Sequence, residues 1–345
     1  MTTKTAKGNF FEDFTVGQDL VHATPRTVTD GDVALYTALT GSRFVVQSSA
    51  AFARAVGLAG APVDDLLTFH VVFGKTVPDV SLNAVANLGY AQGRFHKLVA
   101  PGTTLSTTST VVGLKENSNK ETGTVYVRSV GRDDAGDLVL DYYRWVMVRK
   151  RDKASPAPEA VVPDLAPVVS PEFLTVPAGL DLSTFDTALS GSPHLFDDYA
   201  VGEKIDHVDG MTIEEAEHMM ATRLYQNTAR VHFNQFTEKD GRFGRRLMYG
   251  GHVISLARAL SFNGLGNALF IAAINGGRHV APTFAGDTLF AWTEVKDKAE
   301  IPGRTDVGAL RLRLVATKNL PAAGFPESGE NVVLDFDYWV LIPRR

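Results

Sequence analysis

The chain repeats itself. Phe11-Glu-Asp-Phe-Thr-Val-Gly-Gln18 returns as Phe196-Asp-Asp-Tyr-Ala-Val-Gly-Glu203, and the same spacing carries His22 onto His207 and Thr27 onto Thr212 without a gap. Further on, Gly93-Arg94 matches Gly277-Arg278, and Pro101-Gly-Thr-Thr-Leu105 matches Ala285-Gly-Asp-Thr-Leu289. Both halves close alike, Val139-Leu-Asp-Tyr-Tyr-Arg-Trp-Val146 against Val333-Leu-Asp-Phe-Asp-Tyr-Trp-Val340. A period of this length exceeds that of any solenoid repeat and indicates two copies of one domain. Residues 1–152 form the first unit and 193–345 the second. The segment 153–192 between them carries Pro156, Pro158, Pro163, Pro167, Pro171 and Pro177. That density forbids a helix or a central strand, so an extended connector crossing the surface is expected.

Each copy has the same coarse plan. Thr212-Ile-Glu-Glu215 has the form of a capping box that opens a helix ending before Tyr225, with Thr27-Val-Thr-Asp30 as the weaker counterpart. An apolar helix from His252 to about Phe262 follows, matched by Leu66 to about Gly74. Strands come last, at 104–112, 124–130 and 138–148 in the first copy and 288–295, 309–317 and 332–342 in the second. The alternation in Leu310-Arg-Leu-Arg-Leu314 fits an antiparallel sheet with one face buried. A long apolar helix on such a sheet is an α+β layer, and its open edge predicts that the two copies pair side by side.

Chemistry concentrates in the second copy. Tyr225-Gln-Asn-Thr-Ala-Arg-Val-His232 has neither helical nor strand periodicity and brings an amide, Asn227, near an imidazole, His232. Met248-Tyr-Gly-Gly-His252 then opens the apolar helix with a glycine pair, and a helix start leaves N–H groups free for a developing oxyanion. In the first copy Gln47 stands where His232 stands, so that copy has lost its titratable group. Each residue has a plainer reading. His232 could be a hydrogen-bonded core histidine, Asn227 a turn cap, and Gly250 and Gly251 packing residues. His70, His252 and His279 are expected to be structural or surface groups. Lys239, Arg242, Arg245 and Arg246 form either a solvated face or a phosphate contact.

Other classes are excluded or disfavoured. With no cysteine there is no thiolate nucleophile, disulfide or Cys-ligated metal. No carboxylate falls at ligand spacing with a histidine pair, so no metal site is expected. A net charge of −5 argues against a general nucleic-acid partner. The glycines at 264–266 and 276–277 follow no βαβ pattern, and no nucleophile elbow is present. No stretch has the roughly 18 apolar residues of a membrane span and the amino terminus is polar, so a cytoplasmic protein is expected.

The duplication and the loop-to-helix spacing resemble the MaoC-like dehydratases, the (R)-specific enoyl-CoA hydratase family. The match runs over Tyr225, Asn227, Ala229, Val231 and His232, then Tyr249-Gly250-Gly251, then Pro282-Thr-Phe-Ala-Gly-Asp-Thr-Leu289. The resemblance implies a double hotdog, two tandem units that each wrap a sheet around a long helix. It implies a cofactor-free hydro-lyase acting on a branched 2-enoyl-CoA such as 2-methylfumaryl-CoA, with a homodimer as the assembly. It also implies His232 and Asn227 as catalytic residues and Tyr225, Arg230, Tyr249, Gly250, Gly251 and Arg278 as substrate-binding residues. The sequence departs from the family's pattern where Asn227 stands for an Asp and Ala229 for an Asn. Two rivals stay open: a non-enzymatic acyl-CoA-binding protein, which that departure makes credible, and a hotdog acyl-CoA thioesterase, which it weakens because the family's thioesterase branches use a carboxylate at the attacking position.

Overall fold

A computed structural model describes residues 4–345. In chain order the first copy forms β1 (Asp19–Thr27), helix α1 (Asp30–Thr40), helix α2 (Asp65–Thr76), β2 (Ala84–Phe95), β3 (Thr104–Glu116), β4 (Thr122–Arg132) and β5 (Leu138–Arg149). The second forms β6 (Lys204–Thr212), α3 (Glu215–Leu224), α4 (Gly250–Leu260), β7 (Phe270–His279), β8 (Thr288–Glu300), β9 (Val307–Lys318) and β10 (Val332–Pro343). All pair antiparallel in one ten-stranded sheet of order β1-β3-β4-β5-β2-β7-β10-β9-β8-β6, the second half mirroring the first about its centre.

The copies join where β2 meets β7, with Tyr90 opposite Gly277 and Arg94 opposite Ala273. Pairing there removes the open edge each unit would otherwise present. The sheet wraps α2 and α4, and one apolar cluster runs through both copies, from Leu66, Phe69 and Phe73 to Ile254, Leu312 and Phe336. The fold is the α+β double hotdog that the sequence implied.

Four strands were not expected from the sequence. β2 and β7 lie centrally, so neither their burial nor their glycine-interrupted sequence shows the alternation that marked the others. β1 and β6 are mostly exposed edges, and β1 contains Pro25, which an edge strand tolerates.

The caps also differ. Thr212 ends β6 and bonds the Thr288 hydroxyl, and the N-cap of α3 is Glu214, whose side chain makes no capping bond. A true capping box forms in the first copy instead, two residues later than expected, between Thr29 and Asp32. The connector is extended but does not stay on the surface. Val169, Leu174, Leu180 and Leu182 are buried against Val45, Val46 and Phe52 of the first copy and Trp339 of the second. Trp339 Nε1 donates to the Val169 carbonyl at 3.0 Å, and Asn275 accepts from its N–H at 2.8 Å.

Gly74 brings the two copies close together outside the sheet. A Cβ on it would lie 1.9 Å from the Tyr225 carbonyl oxygen, so α2 of the first copy rests on the chemistry-bearing loop of the second. In an open helix, replacing Gly by Ala adds about 0.5–1 kcal/mol of stability. Here the sign should invert: Gly74→Ala is expected to cost about 1–3 kcal/mol by overpacking. Chemical denaturation, with the midpoint moving down, checks this.

Candidate active site

The loop that carries the candidate base is fixed by a helix ending. α3 closes with Gln226 in the left-handed region at φ 51°, Gln226 N–H donating to the Arg223 carbonyl and Asn227 N–H to the Thr222 carbonyl. This is a Schellman ending, in which glycine is the usual left-handed residue. The first copy has Gly41 at the equivalent place, φ 67°. Gln226 bears that strain while its side chain accepts a hydrogen bond from the buried Lys75 of α2.

The ending delivers Asn227 in a buried position, its Oδ1 accepting from Ala229 N–H at 2.9 Å. Both readings of Asn227 therefore hold together. The carbonyl caps a turn, and the Nδ2 group remains as a donor. A single 3-10 turn, Arg230–His232, then presents the imidazole.

His232 Nδ1 lies 2.9 Å from the Leu247 carbonyl, which accepts only, so Nδ1 carries the proton and Nε2 keeps its lone pair. Leu247 N–H donates in return to Val231, locking the two segments together. Desolvation, opposed only by that carbonyl contact, pushes the His232 pKa down to about 4. At neutral pH the ring is an uncharged, oriented base.

His232, Asn227, Tyr249 and Gly250 share one cavity of about 320 Å³, whose wall is completed by Phe73, Tyr90 and Arg144 of the first copy. The His232 and Tyr249 rings are 5.5 Å apart. Tyr249 is the N-cap of α4, and its N–H points to Nε2 of His218 at 3.3 Å. The first-turn N–H groups at Gly250 and Gly251 have no carbonyl within the helix to bond. Packing also demands these glycines. A Cβ at 250 would meet the His279 ring at 2.4 Å, and one at 251 the Tyr249 ring at 2.5 Å. The first copy opens its equivalent helix with Asp64-Asp65, and Asp64 Oδ1 accepts the Leu66 N–H at 2.9 Å. Its helix start is already occupied, and Gln47 there bonds the Leu269 carbonyl under the connector.

Not every expected residue reaches the cavity. Tyr225 is fully buried behind the wall, its ring 4.5 Å from His70, because the Schellman turn points it inward. Gly251 likewise lies behind Tyr249. Arg230 is exposed, and Arg278 pairs with Asp335 at 3.0 Å on the sheet surface; neither lines the cavity. Of the basic cluster, Arg242 lines the cavity, Arg245 lies over the Phe284 ring at 4.0 Å and Arg246 pairs with Glu215.

His279 was expected to be structural or at the surface; it lines the cavity, brought there by the unexpected strand β7. His70 and His252 are buried structural groups, His70 Nε2 bonding Ser255 at 2.8 Å. Tyr90, Arg144 and His218 were missed, since β2 was not recognised and strand β5 signalled only burial. The mismatch of Arg144 with Tyr338 across the repeat was the available signal. Among the described residues no group of three or more His, Asp or Glu converges to hold a metal, and no Asp or Glu lines this cavity. A second, more open cleft of about 690 Å³ meets the first at Asn227 but has no imidazole in its lining.

Desolvation holds other buried histidines down as well, His252 and His279 to about 4 and His218 to about 3. In the unfolded chain they titrate near 6.5. The unfolded state therefore binds protons first as pH falls. This contribution to stability is complete above about pH 6.5 and lost progressively toward pH 4. Denaturation midpoints measured across that window should fall with pH. In the free enzyme kcat/KM should stay level from pH 8 to about 5.5 and drop only near about pH 4, as His232 protonates.

Comparison with known proteins finds relatives along the whole chain. Over its full length the chain is 64% identical to the β-methylmalyl-CoA dehydratase of Chloroflexus aurantiacus, with all of both chains covered. It is 59% identical to the mesaconyl-CoA hydratase of Cereibacter sphaeroides, covering 99% of this chain and all of that one. A MaoC domain dehydratase structure from Chloroflexus aurantiacus superposes with a TM-score of 0.97 at 64% identity, covering both chains completely. A double-hotdog protein of Mycobacterium tuberculosis superposes at 0.80 with 26% identity, covering 99% of this chain and all of that one. The mesaconyl-CoA hydratase family model matches residues 1–323, and the chain belongs to that family.

Proposed function

We propose that this protein is a hydro-lyase that reversibly adds water to 2-methylfumaryl-CoA (mesaconyl-CoA), giving β-methylmalyl-CoA. The observation that carries the reading is the imidazole at 232: its Nδ1 is pinned by a carbonyl and its Nε2 is left as acceptor, in one cavity with an amide donor and a helix amino terminus. The family's hydratase and dehydratase names describe the two directions of one reaction.

In the forward step a water accepts a hydrogen bond from Asn227 Nδ2 and gives its proton to His232 Nε2. Its oxygen bonds C3, and the C2=C3 electron pair moves to C2 and the thioester oxygen as an enolate. The N–H groups at the start of α4 stabilise that charge; one such donor is typically worth about 10²–10³ in rate. His232 then returns the proton to C2, so no net proton is gained or lost. An amide cannot share the proton transfer as a carboxylate would, which leaves His232 to act at both carbons. The absence of any Asp or Glu from the cavity lining disfavours a hotdog thioesterase, because the family's thioesterase branches use a carboxylate at the attacking position.

The cavity fits a short branched acyl group. Arg242 at its lining and the nearby Arg245 are the candidates for the CoA phosphates. A homodimer working in the cytoplasm completes the reading.

Turnover of 2-methylfumaryl-CoA by the pure protein, with mass gained by one water and no free thiol released, tests the activity. His232→Gln should lower kcat at least about 10²-fold with a modest change in KM. Asn227→Asp should keep measurable activity. Near wild-type turnover by the glutamine variant would remove His232 from the mechanism.

A further inference from the structure

Arg144 is fully buried on β5, yet among the described residues it has no carboxylate partner. Its Nη2 reaches only the Ser81 hydroxyl at 3.3 Å, while Nε and Nη1 make no hydrogen bond at all. Its guanidinium stacks 4.3 Å over the Phe73 ring. A buried cation with unused donors is costly to keep unless something binds it. Arg144 lines the same cavity as His232 and Asn227. The same lining includes Asn87, whose side-chain nitrogen and oxygen are both buried and unbonded.

The repeat supplies an internal control. Tyr90 pairs with Arg144 in the first copy, and Ile274 pairs with Tyr338 in the second, so Arg144 stands where the other copy has tyrosine. By the same register Tyr90 and Asn87 replace Ile274 and Ile271. The second copy does bury one arginine, Arg258, at the helix position equivalent to Phe73. That one is satisfied within the protein by the Ser261 hydroxyl and the Ala268 carbonyl. Two copies of one scaffold thus each bury an arginine at their helix-facing core, and only the one at the open cavity keeps its donors unused.

We propose that Arg144, with Asn87 and Ser81, forms a subsite for a second, free carboxylate on the acyl group, so that the first copy selects dicarboxylic over monocarboxylic enoyl-CoA thioesters. The proposal rests on the hydration reading above. In 2-methylfumaryl-CoA that carboxylate is attached to C3, the carbon that receives water. A guanidinium there offsets the repulsion between the carboxylate and the oxygen as it approaches and gains negative charge. Planar two-point bonding to a carboxylate suits arginine in a way lysine cannot match. A site built to bond a substrate group rejects the analogue lacking it, because its own donors are left unpaired.

The experiment compares wild type, Arg144→Met and Asn87→Ile on 2-methylfumaryl-CoA and on 2-methylcrotonyl-CoA, which has a methyl group in place of the carboxylate. Wild type should prefer the dicarboxylic substrate by about 10²-fold or more in kcat/KM. Arg144→Met should lose most of that preference while melting no lower than wild type, since an unpaired buried charge has been removed. Asn87→Ile should reduce the preference less. Free 2-methylfumarate should raise the melting temperature of wild type and not of Arg144→Met. Retained preference in a folded Arg144→Met, or equal protection of both proteins by the free diacid, would overturn the proposal. Hydration of both thioesters without preference would overturn it and leave the hydratase reading standing. Hydration of neither would remove that reading, and diacid protection lost with Arg144 would still mark a carboxylate site.

Discussion

Everything in this molecule depends on the backbone ladder between β2 and β7. A single copy would carry an open sheet edge and half of a cavity. The ladder closes the edge and at the same time sets Phe73, Tyr90 and Arg144 of one copy opposite His232, Asn227 and Tyr249 of the other. The site is therefore a product of sheet continuation, with Tyr90 and Arg144 on the strands themselves and the other residues on helix ends and turns packed against them. The direct contact of Gly74 with the Tyr225 carbonyl adds a second register point, on the helix side of the sheet.

Within that frame the two copies divide the chemistry. The second supplies a neutral imidazole, a turn-held amide and a helix start led by small residues. The first has surrendered each of these, with Gln47 for the base, Asp64-Asp65 at the helix start and Ser42 in place of the amide, and it contributes the wall with the cation. Burial drives both parts. It keeps the imidazole uncharged so that it can take a proton, and it makes an unmatched guanidinium selective for an anion.

The α+β fold, the pairing of the copies and the family were legible because duplication and short motifs do not depend on knowing where a strand lies. That His232 and Asn227 would come together was legible for the same reason, and they share one cavity. The residues that were missed sit on elements whose pattern is blank. β2 and β7 are central and glycine-interrupted, so no alternation marks them, and Tyr90 and His279 went unseen with them. Tyr225 and Gly251 show the converse. Each belongs to a motif, but a left-handed turn and a stacked ring place them behind the cavity wall. Arg278 and Arg230 were chosen for their charge once the resemblance implied a CoA substrate, and charge cannot distinguish a surface pair from a ligand contact.

The connector, finally, fixes the binding ratio. By packing Val169, Leu174, Leu180 and Leu182 over the turn that bears Gln47, it fills the place where a symmetric pair of units would hold its twin pocket. Joined in one chain, the halves were free to change separately, since a substitution in a true dimer of identical units would strike both pockets at once. The result is a chain with room for one thioester, not two, and with each half of its gene answerable for a different part of the same ligand.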